Sequence, residues 1–238
     1  MEHSSKSFKN QNQIIMDERH SVRILDIKQV THDVRSYRVE KPEGYTFIPG
    51  QATEVCIDKP EWENERRPFT FTSLNEDDTL EFTIKSYEQH HGVTDALMHL
   101  NVGDSLILHD VWGAISYGGE GYFIAGGAGI TPFIAILRDL KKQGKLGNNK
   151  LFFSNKTSKD VILESELKEI LGDKAVFVLS DETAEGYVDG YINEKFLKDR
   201  VSDFSKHFYI CGPDPMIMAI TVILENLGAN PEGVIFEK

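Results

Sequence analysis

The stretch YFIAGGAGITPF, residues 122 to 133, carries residue types suited to holding an anion. Residues 122 to 125 read as a buried apolar strand that runs into a glycine-rich turn, and a helix opens near Thr131 and Pro132. Gly127 and Gly129 let the backbone turn tightly and approach a pyrophosphate, while the helix presents free N–H groups and the positive end of its dipole. Proline suits the first helical turn because no N–H is needed there. The spacing is G-x-G-x-x-P, which departs from the dinucleotide fingerprint that ends in glycine. A glycine turn of this kind can also do no more than close a strand-to-helix corner.

Two further segments have similar promise. FYICGPDPM, residues 208 to 216, is another buried strand that ends in a small residue, a glycine and a proline before a helix. In a parallel sheet it too would finish at the carboxyl edge, where ligands of open α/β sheets bind. Cys211 is then a candidate site wall, although buried cysteine is commonly inert packing. RRPFTFTS, residues 66 to 73, reads as a strand in which Arg67, Phe69 and Phe71 share one face and Thr70 and Thr72 the other. Taken alone, Arg67 is a solvated charge at a strand end.

These segments need elements to position them. From residue 21 to about residue 112 the chain reads as short β segments: SVRILDIKQV, VRSYRVEK, QATEVCID, RPFTFTSL, LEFTIKSY and DSLILHDV. Turn chemistry separates them, which predicts a small antiparallel barrel. A helix interrupts it at GVTDALMHLN, beginning at Gly92 to Thr94, with Val93, Leu97 and Leu100 at helical spacing and Thr94 able to serve as N-cap. After residue 118 strands alternate with helices, which predicts a parallel sheet covered by helices. The expected organisation is a flexible tail over residues 1–20, a barrel over 21–118 and an α/β domain over 119–238.

Composition narrows the function. A formal charge of −12 argues against nucleic acid or an anionic membrane as the main partner. Cys56 and Cys211 are too few for a metal quartet or a disulfide framework, no metal site is expected, and a reducing cytoplasm suits such a chain. The first twenty residues are polar, without the apolar core of a signal peptide, and no apolar run approaches the roughly 20 residues of a membrane span.

RPFT resembles the R-x-Y-S flavin motif of the ferredoxin–NADP(+) reductase superfamily; GGAGITP and CGPDPM resemble its nicotinamide-nucleotide motifs, and FIPGQ its early barrel turn. The order and spacing agree over residues 21 to 238. The resemblance implies that the barrel binds FAD, with Arg67 on the pyrophosphate, Phe69 against the isoalloxazine, Thr70 at flavin N5, and Ile84 and Lys85 in the same site. A second flavin contact would be the helix start in HHGVTDAL, through Gly92, Val93 and Thr94, with His91 where the family has glycine. The α/β domain would hold the nicotinamide nucleotide through Gly127, Gly129, Thr131, Pro132, Cys211, Gly212, Pro213 and Met216. Asp181 in VLSDE stands where NADPH-preferring relatives carry arginine, which favours NADH over NADPH. Phe236 and Glu237 match the family's terminal strand, but the chain stops at Lys238, before its last aromatic.

Thr70, Cys211 and Glu237 are thus the expected catalytic group. The function implied is an NAD(P)H oxidoreductase that feeds a separate electron carrier, namely a ferredoxin, a flavodoxin or an oxygenase component. The segment RDLKKQGK with Arg35 and Arg38 offers a basic patch for such a partner. A free-flavin or quinone reductase, and a non-catalytic flavin or nucleotide sensor, are the alternatives.

Overall fold

Alternation of apolar and polar side chains in the first half of the chain produces six antiparallel strands. The computed structural model describes residues 18–113, 115–230 and 234–236. The strands are β1 (His20–Thr31), β2 (Val34–Glu40), β3 (Ala52–Ile57), β4 (Arg67–Thr70), β5 (Thr79–Lys85) and β6 (Ser105–Trp112), in spatial order β4-β3-β6-β1-β2-β5. The edge strands β4 and β5 do not stay apart. A bridge between Phe71 and Phe82 and a bond from Thr72 N to Glu81 O (2.8 Å) close the sheet into a barrel, which removes its open edges. Inward-facing Tyr37, Phe71, Leu80 and Phe82 are fully buried, and the Phe71 ring stacks on Phe47 at 4.2 Å.

The short helix α1 (Val93–Leu97) covers one end of the barrel. Five residues cannot sustain a helix alone, so it depends on burial of Val93 and Leu97 and on the Tyr37 hydroxyl, which donates to Leu97 O at 2.9 Å.

In the second half the pattern becomes runs of apolar residues alternating with amphipathic helices. The elements are β7 (Gly121–Gly126), α2 (Thr131–Lys142), β8 (Lys150–Asn155), α3 (Glu164–Leu171), β9 (Ala175–Leu179), β10 (Val188–Asp189), α4 (Glu194–Arg200), β11 (His207–Cys211), α5 (Asp214–Asn226) and β12 (Val234–Phe236). All six strands run parallel, in the order β10-β9-β8-β7-β11-β12. The chain winds outward from β7 to β10, then returns to the other side of β7 with β11. That reversal creates a switch point between β7 and β11, the position at which open α/β sheets bind ligands at the strands' carboxyl ends.

The two domains are tied together. Tyr209 accepts from the amides of Gly118 and Gly119, both at 3.0 Å, and donates to Gly119 O at 2.7 Å, pinning the connecting segment to β11. Val34 of the barrel is buried within the apolar cluster of the second domain, beside Ile115 and α2. Among the described residues no helix is long and apolar enough to cross a membrane.

Candidate active site

The glycines after β7 sit at the switch point. A 3-10 turn over Gly127–Ile130 runs directly into α2, and Thr131 N is already bonded to Ala128 O. The helical stretch therefore begins at the glycines, and the amides left without intrahelical partners belong to them rather than to Thr131. Gly127 has φ +52° and faces open space, with nothing within 4 Å of a would-be Cβ. Gly129 does the opposite: a Cβ there would lie 2.3 Å from Cys211 O. Only glycine lets the turn after β7 press against the end of β11. Gly126 and Gly212 are likewise covered by Met216, whose Sδ and Cε would meet added Cβ atoms at 2.6 and 2.8 Å. Cys211 is buried, and Pro213 in extended conformation caps α5.

Beside this cradle lies Asn155, a residue the sequence reading missed. It is 6% exposed, and neither polar atom of its amide finds a hydrogen-bond partner among the described residues. Ser154 pairs with Gly126, so Asn155 falls level with Gly127; alternation places it on the face of Leu151 and Phe153, the face covered by α2. A buried, unsatisfied amide next to a glycine turn that opens to space suits a polar nucleotide. The signal in the sequence was a polar residue at an inward position of KLFFSN.

At the next strand end the Ser180 hydroxyl donates to Asp181 Oδ1 (2.7 Å), and Glu182 accepts from Ser158 N (2.6 Å) and its hydroxyl (3.2 Å). Carboxylates thus gather just past the carboxyl end of β9, although Lys156 and Lys159 are exposed nearby.

On the barrel side, Arg67 is exposed; its Nη1 donates to Arg66 O (2.6 Å) and its Nη2 lies 3.5 Å from Glu65. Phe69 is half-buried against the barrel core, and Thr70 is buried opposite Ala52. Ile84 packs its side chain inside the barrel. Lys85 Nζ lies 2.9 Å from Asp33. Burial pushes the Asp33 carboxyl up, but bonds from Lys85 and Thr31 outweigh this and hold it below the usual range. His32, Asp33 and Asp160 also converge here, yet the Lys85 ammonium already supplies the cation beside them. The buried Ser86 hydroxyl, just past Lys85, has no hydrogen-bond partner among the described residues. It is a second group the sequence reading missed.

The helix start at HHGVTDAL differs from expectation in one respect. Thr94 is not the N-cap: Gly92 occupies that position in extended conformation (φ −101°, ψ −165°), without a side-chain cap, and Thr94 lies inside α1. Just before it, His91 stands where the family motif has glycine and adopts the left-handed region at φ +46°. The chain enters α1 two residues earlier than a Thr94 cap would have it. Asp95 in the first turn lies 3.5 Å from His91 and 3.8 Å from His99.

Arg138, which the sequence offered only as part of a basic patch, joins the two sides. Arg138 of α2 donates through Nη1 to Thr72 O (2.6 Å) and Glu81 Oε1 (2.7 Å) of the barrel, and through Nε and Nη2 to both oxygens of Glu166 on α3 (2.6 and 2.9 Å). Burial pushes the Glu81 carboxyl up, but the Arg138 charge and hydrogen bonds from Arg138, Thr72 and Ser36 hold it below its ordinary value. The expected basic patch accordingly dissolves. Arg138 is taken up at the junction, Lys141 lies 2.5 Å from Glu169, Lys142 lies 2.5 Å from Glu76, and Arg35 donates to Met98 O (2.6 Å). Arg38 is 3.7 Å from Asp26. Phe236 belongs to β12 alongside Ile210, and Glu237 lies outside the described residues.

The fold defines a two-domain protein in which a closed barrel is joined to a parallel α/β sheet. Residues 21–117 match the oxidoreductase FAD-binding domain family, and residues 123–221 match the oxidoreductase NAD-binding domain family. The chain belongs to the ferredoxin reductase-like superfamily of FAD- and NAD-binding oxidoreductases. It is 24% identical over 220 residues to the ferredoxin–NAD(P)(+) reductase component of the naphthalene 1,2-dioxygenase system of Pseudomonas putida, covering 89% of this chain and 66% of that protein. The chain thus spans slightly less than two thirds of that relative. It is 29% identical over 221 residues to NADH-cytochrome b5 reductase 1 of Eremothecium gossypii, covering 84% of this chain and 76% of the relative. The FAD/NAD-binding domain of nitric oxide dioxygenase from Vibrio cholerae superposes with a TM-score of 0.83 at 21% identity, covering 93% and 98% of the two chains.

The residues present suit both groups. The open Gly127 turn and the orphaned Asn155 amide fit a nicotinamide nucleotide, and the exposed Arg67, buried Thr70 and unpartnered Ser86 hydroxyl fit FAD.

Proposed function

We propose that this chain is an FAD-dependent NAD(P)H oxidoreductase, preferring NADH, that passes electrons to a separate one-electron carrier protein such as a ferredoxin, a flavodoxin or an oxygenase component. The barrel of residues 21–118 holds FAD and the α/β domain of residues 119–238 holds the coenzyme. Bound FAD supplies the chemistry that converts a two-electron donor into a one-electron donor.

The chain's own residues bind and orient. Arg67 and the amides of Gly92, Val93 and Thr94 grip the diphosphate of FAD, and Phe69 and Thr70 line the ring, with the Thr70 hydroxyl as a hydrogen-bond donor. The glycine turn and Asn155 seat the coenzyme, while Cys211, Gly212 and Met216 shape the wall against which nicotinamide lies. Orientation and exclusion of water account for most of the acceleration such a site offers, because hydride transfer needs close, aligned partners rather than a general acid.

The observation that carries this reading is α2. The 3-10 turn that runs into it presses on Cys211 through Gly129, and Arg138 in its second half bonds Thr72 O, two residues from Thr70. Nine helical residues at 1.5 Å each span only about 14 Å, so one rigid rod connects the coenzyme cradle to the flavin strand. The coenzyme preference is supported by Asp181, whose carboxylate would repel a 2′-phosphate and accept bonds from a ribose diol. Relatives named for dioxygenase and cytochrome b5 systems support a protein acceptor.

The test is to load the protein with FAD and mix it anaerobically with NADH or NADPH, following flavin bleaching, and then to add purified candidate carriers. Faster bleaching by NADH and onward reduction of a carrier support the proposal. A colourless protein that instead turns over added flavin would favour free-flavin reduction, and a yellow protein inert to both coenzymes would remove the catalytic reading.

A further inference from the structure

We propose that Arg138 is a positioning residue that sets the placement of the coenzyme domain against the flavin barrel. Its guanidinium lies at the junction with 23% of the side chain exposed, and four hydrogen bonds from its planar fork tie α3, the Thr72 segment and β5 together. The Nε and Nη2 edge is held by Glu166 of α3 at 2.6 and 2.9 Å, which fixes the plane of the group within its own domain. Nη1 then reaches the barrel at two points: the carbonyl of Thr72 (2.6 Å) and Glu81 Oε1 (2.7 Å). Glu81 Oε1 also accepts from the Thr72 hydroxyl (2.8 Å), and that hydroxyl lies 3.2 Å from the Thr83 hydroxyl. The guanidinium therefore bonds directly to the segment that closes the barrel, two residues beyond Thr70.

Tyr209 also makes directional, part-buried bonds, but to Gly118 and Gly119 of the connecting segment and not to a barrel strand; the other links described across the junction are weaker or less directional. Lys142 with Glu76 and His32 with Asp160 are exposed ion pairs, which hold position weakly. Val34 and the Gly50 approach to Ile115 O and Ile136 are apolar or steric contacts that resist separation without fixing a rotation. Among the described residues Arg138 alone is held bidentately by Glu166 within its own domain while its Nη1 bonds directionally to two acceptors of the barrel, and it sits on the helix that continues the glycine turn. A rotation of α2 about this point would move the cradle relative to the strand that carries Thr70.

The proposal rests on the hydride-transfer reading given above, and its test separates the two. In Arg138→Gln each domain keeps its own binding groups, so the FAD content and the affinity for NAD⁺ should stay within about twofold of wild type. The rate of flavin reduction at saturating NADH should fall by about tenfold or more, because misplacement of about an ångström suffices for such losses. The long-wavelength absorbance of nicotinamide stacked on flavin should fade with it. Arg138→Lys keeps the charge without the fork and should recover part of the rate; it also serves if the glutamine variant fails to fold. Independently of any nucleotide, hydrogen exchange in residues 71–73 and in α2 should quicken in Arg138→Gln. A wild-type reduction rate and stacking band in the variant would overturn the proposal. If the wild-type protein is reduced by neither coenzyme, the functional reading fails and exchange alone decides: faster exchange upholds the clamp, and unchanged exchange overturns it.

Discussion

Replacing Gly129 by alanine isolates the contact that makes the coenzyme cradle. An added Cβ would lie 2.3 Å from Cys211 O, 2.4 Å from Cys211 C and 2.5 Å from Gly212 N, where real Cβ contacts stay beyond 3.0 Å. All three atoms are backbone, so no rotamer change relieves the clash. The glycine turn and the end of β11 must separate by about 0.7 Å. Forcing a methyl into packed surroundings costs about 1–3 kcal/mol, and if this falls on the binding-competent arrangement it weakens coenzyme affinity roughly 5- to 150-fold. Gly127→Ala is the matched control. It meets open space but φ +52°, so its penalty is conformational, about 1–2 kcal/mol, with no separation of the strand ends. Calorimetric titration of NAD⁺ into the FAD-loaded proteins, with FAD content as the check on the barrel, measures the effect. Gly129→Ala should retain FAD and lose coenzyme affinity. An NAD⁺ affinity within about twofold of wild type, with an unshifted melting temperature, would refute the argument that the cradle depends on backbone contact at Gly129.

Three further outcomes are expected. His91→Gly removes a left-handed histidine and its exposed pair with Asp95; the net gain of about 0.5–1 kcal/mol should raise the melting temperature by a few degrees without loss of FAD, and a lowered melting temperature would contradict it. Asp181→Ser removes the carboxylate at the end of β9 and should raise the NADPH-to-NADH efficiency ratio by roughly 5- to 30-fold, corresponding to one or two kcal/mol, as read by steady-state kinetics with both coenzymes. Glu81 and Asp33 both have depressed folded-state pKa values, so their stabilisation is fully present above the ordinary values of 4.5 and 3.8 and is lost as pH falls through the lower folded values. Urea midpoints should therefore drop on acidification below that range, and Glu81→Gln should flatten part of the drop.

The sequence by itself determined the two-domain order, the β segments of the barrel, the βα alternation and the strand-turn-helix signature at YFIAGGAGITP, because these are written in local periodicity and in the backbone freedom of glycine and proline. It also placed Cys211, Gly212 and Pro213 at a strand end. Tertiary structure alone decided the rest. Whether His91 could stand in for glycine depended on whether the surrounding chain would hold φ +46°, and the cap of α1 fell to Gly92 rather than Thr94. Asn155 looks like an ordinary strand terminus until pairing with β7 sets it level with Gly127. Arg138 and its neighbours read as a basic patch for a partner, yet the barrel edge at Thr72 and Glu81, far off in sequence, meets that helix and takes up the Arg138 guanidinium. Local patterns specify elements because each element's backbone preferences are short-ranged. The partner of a charge or an amide is chosen only when distant segments pack, and no spacing along the chain encodes that choice.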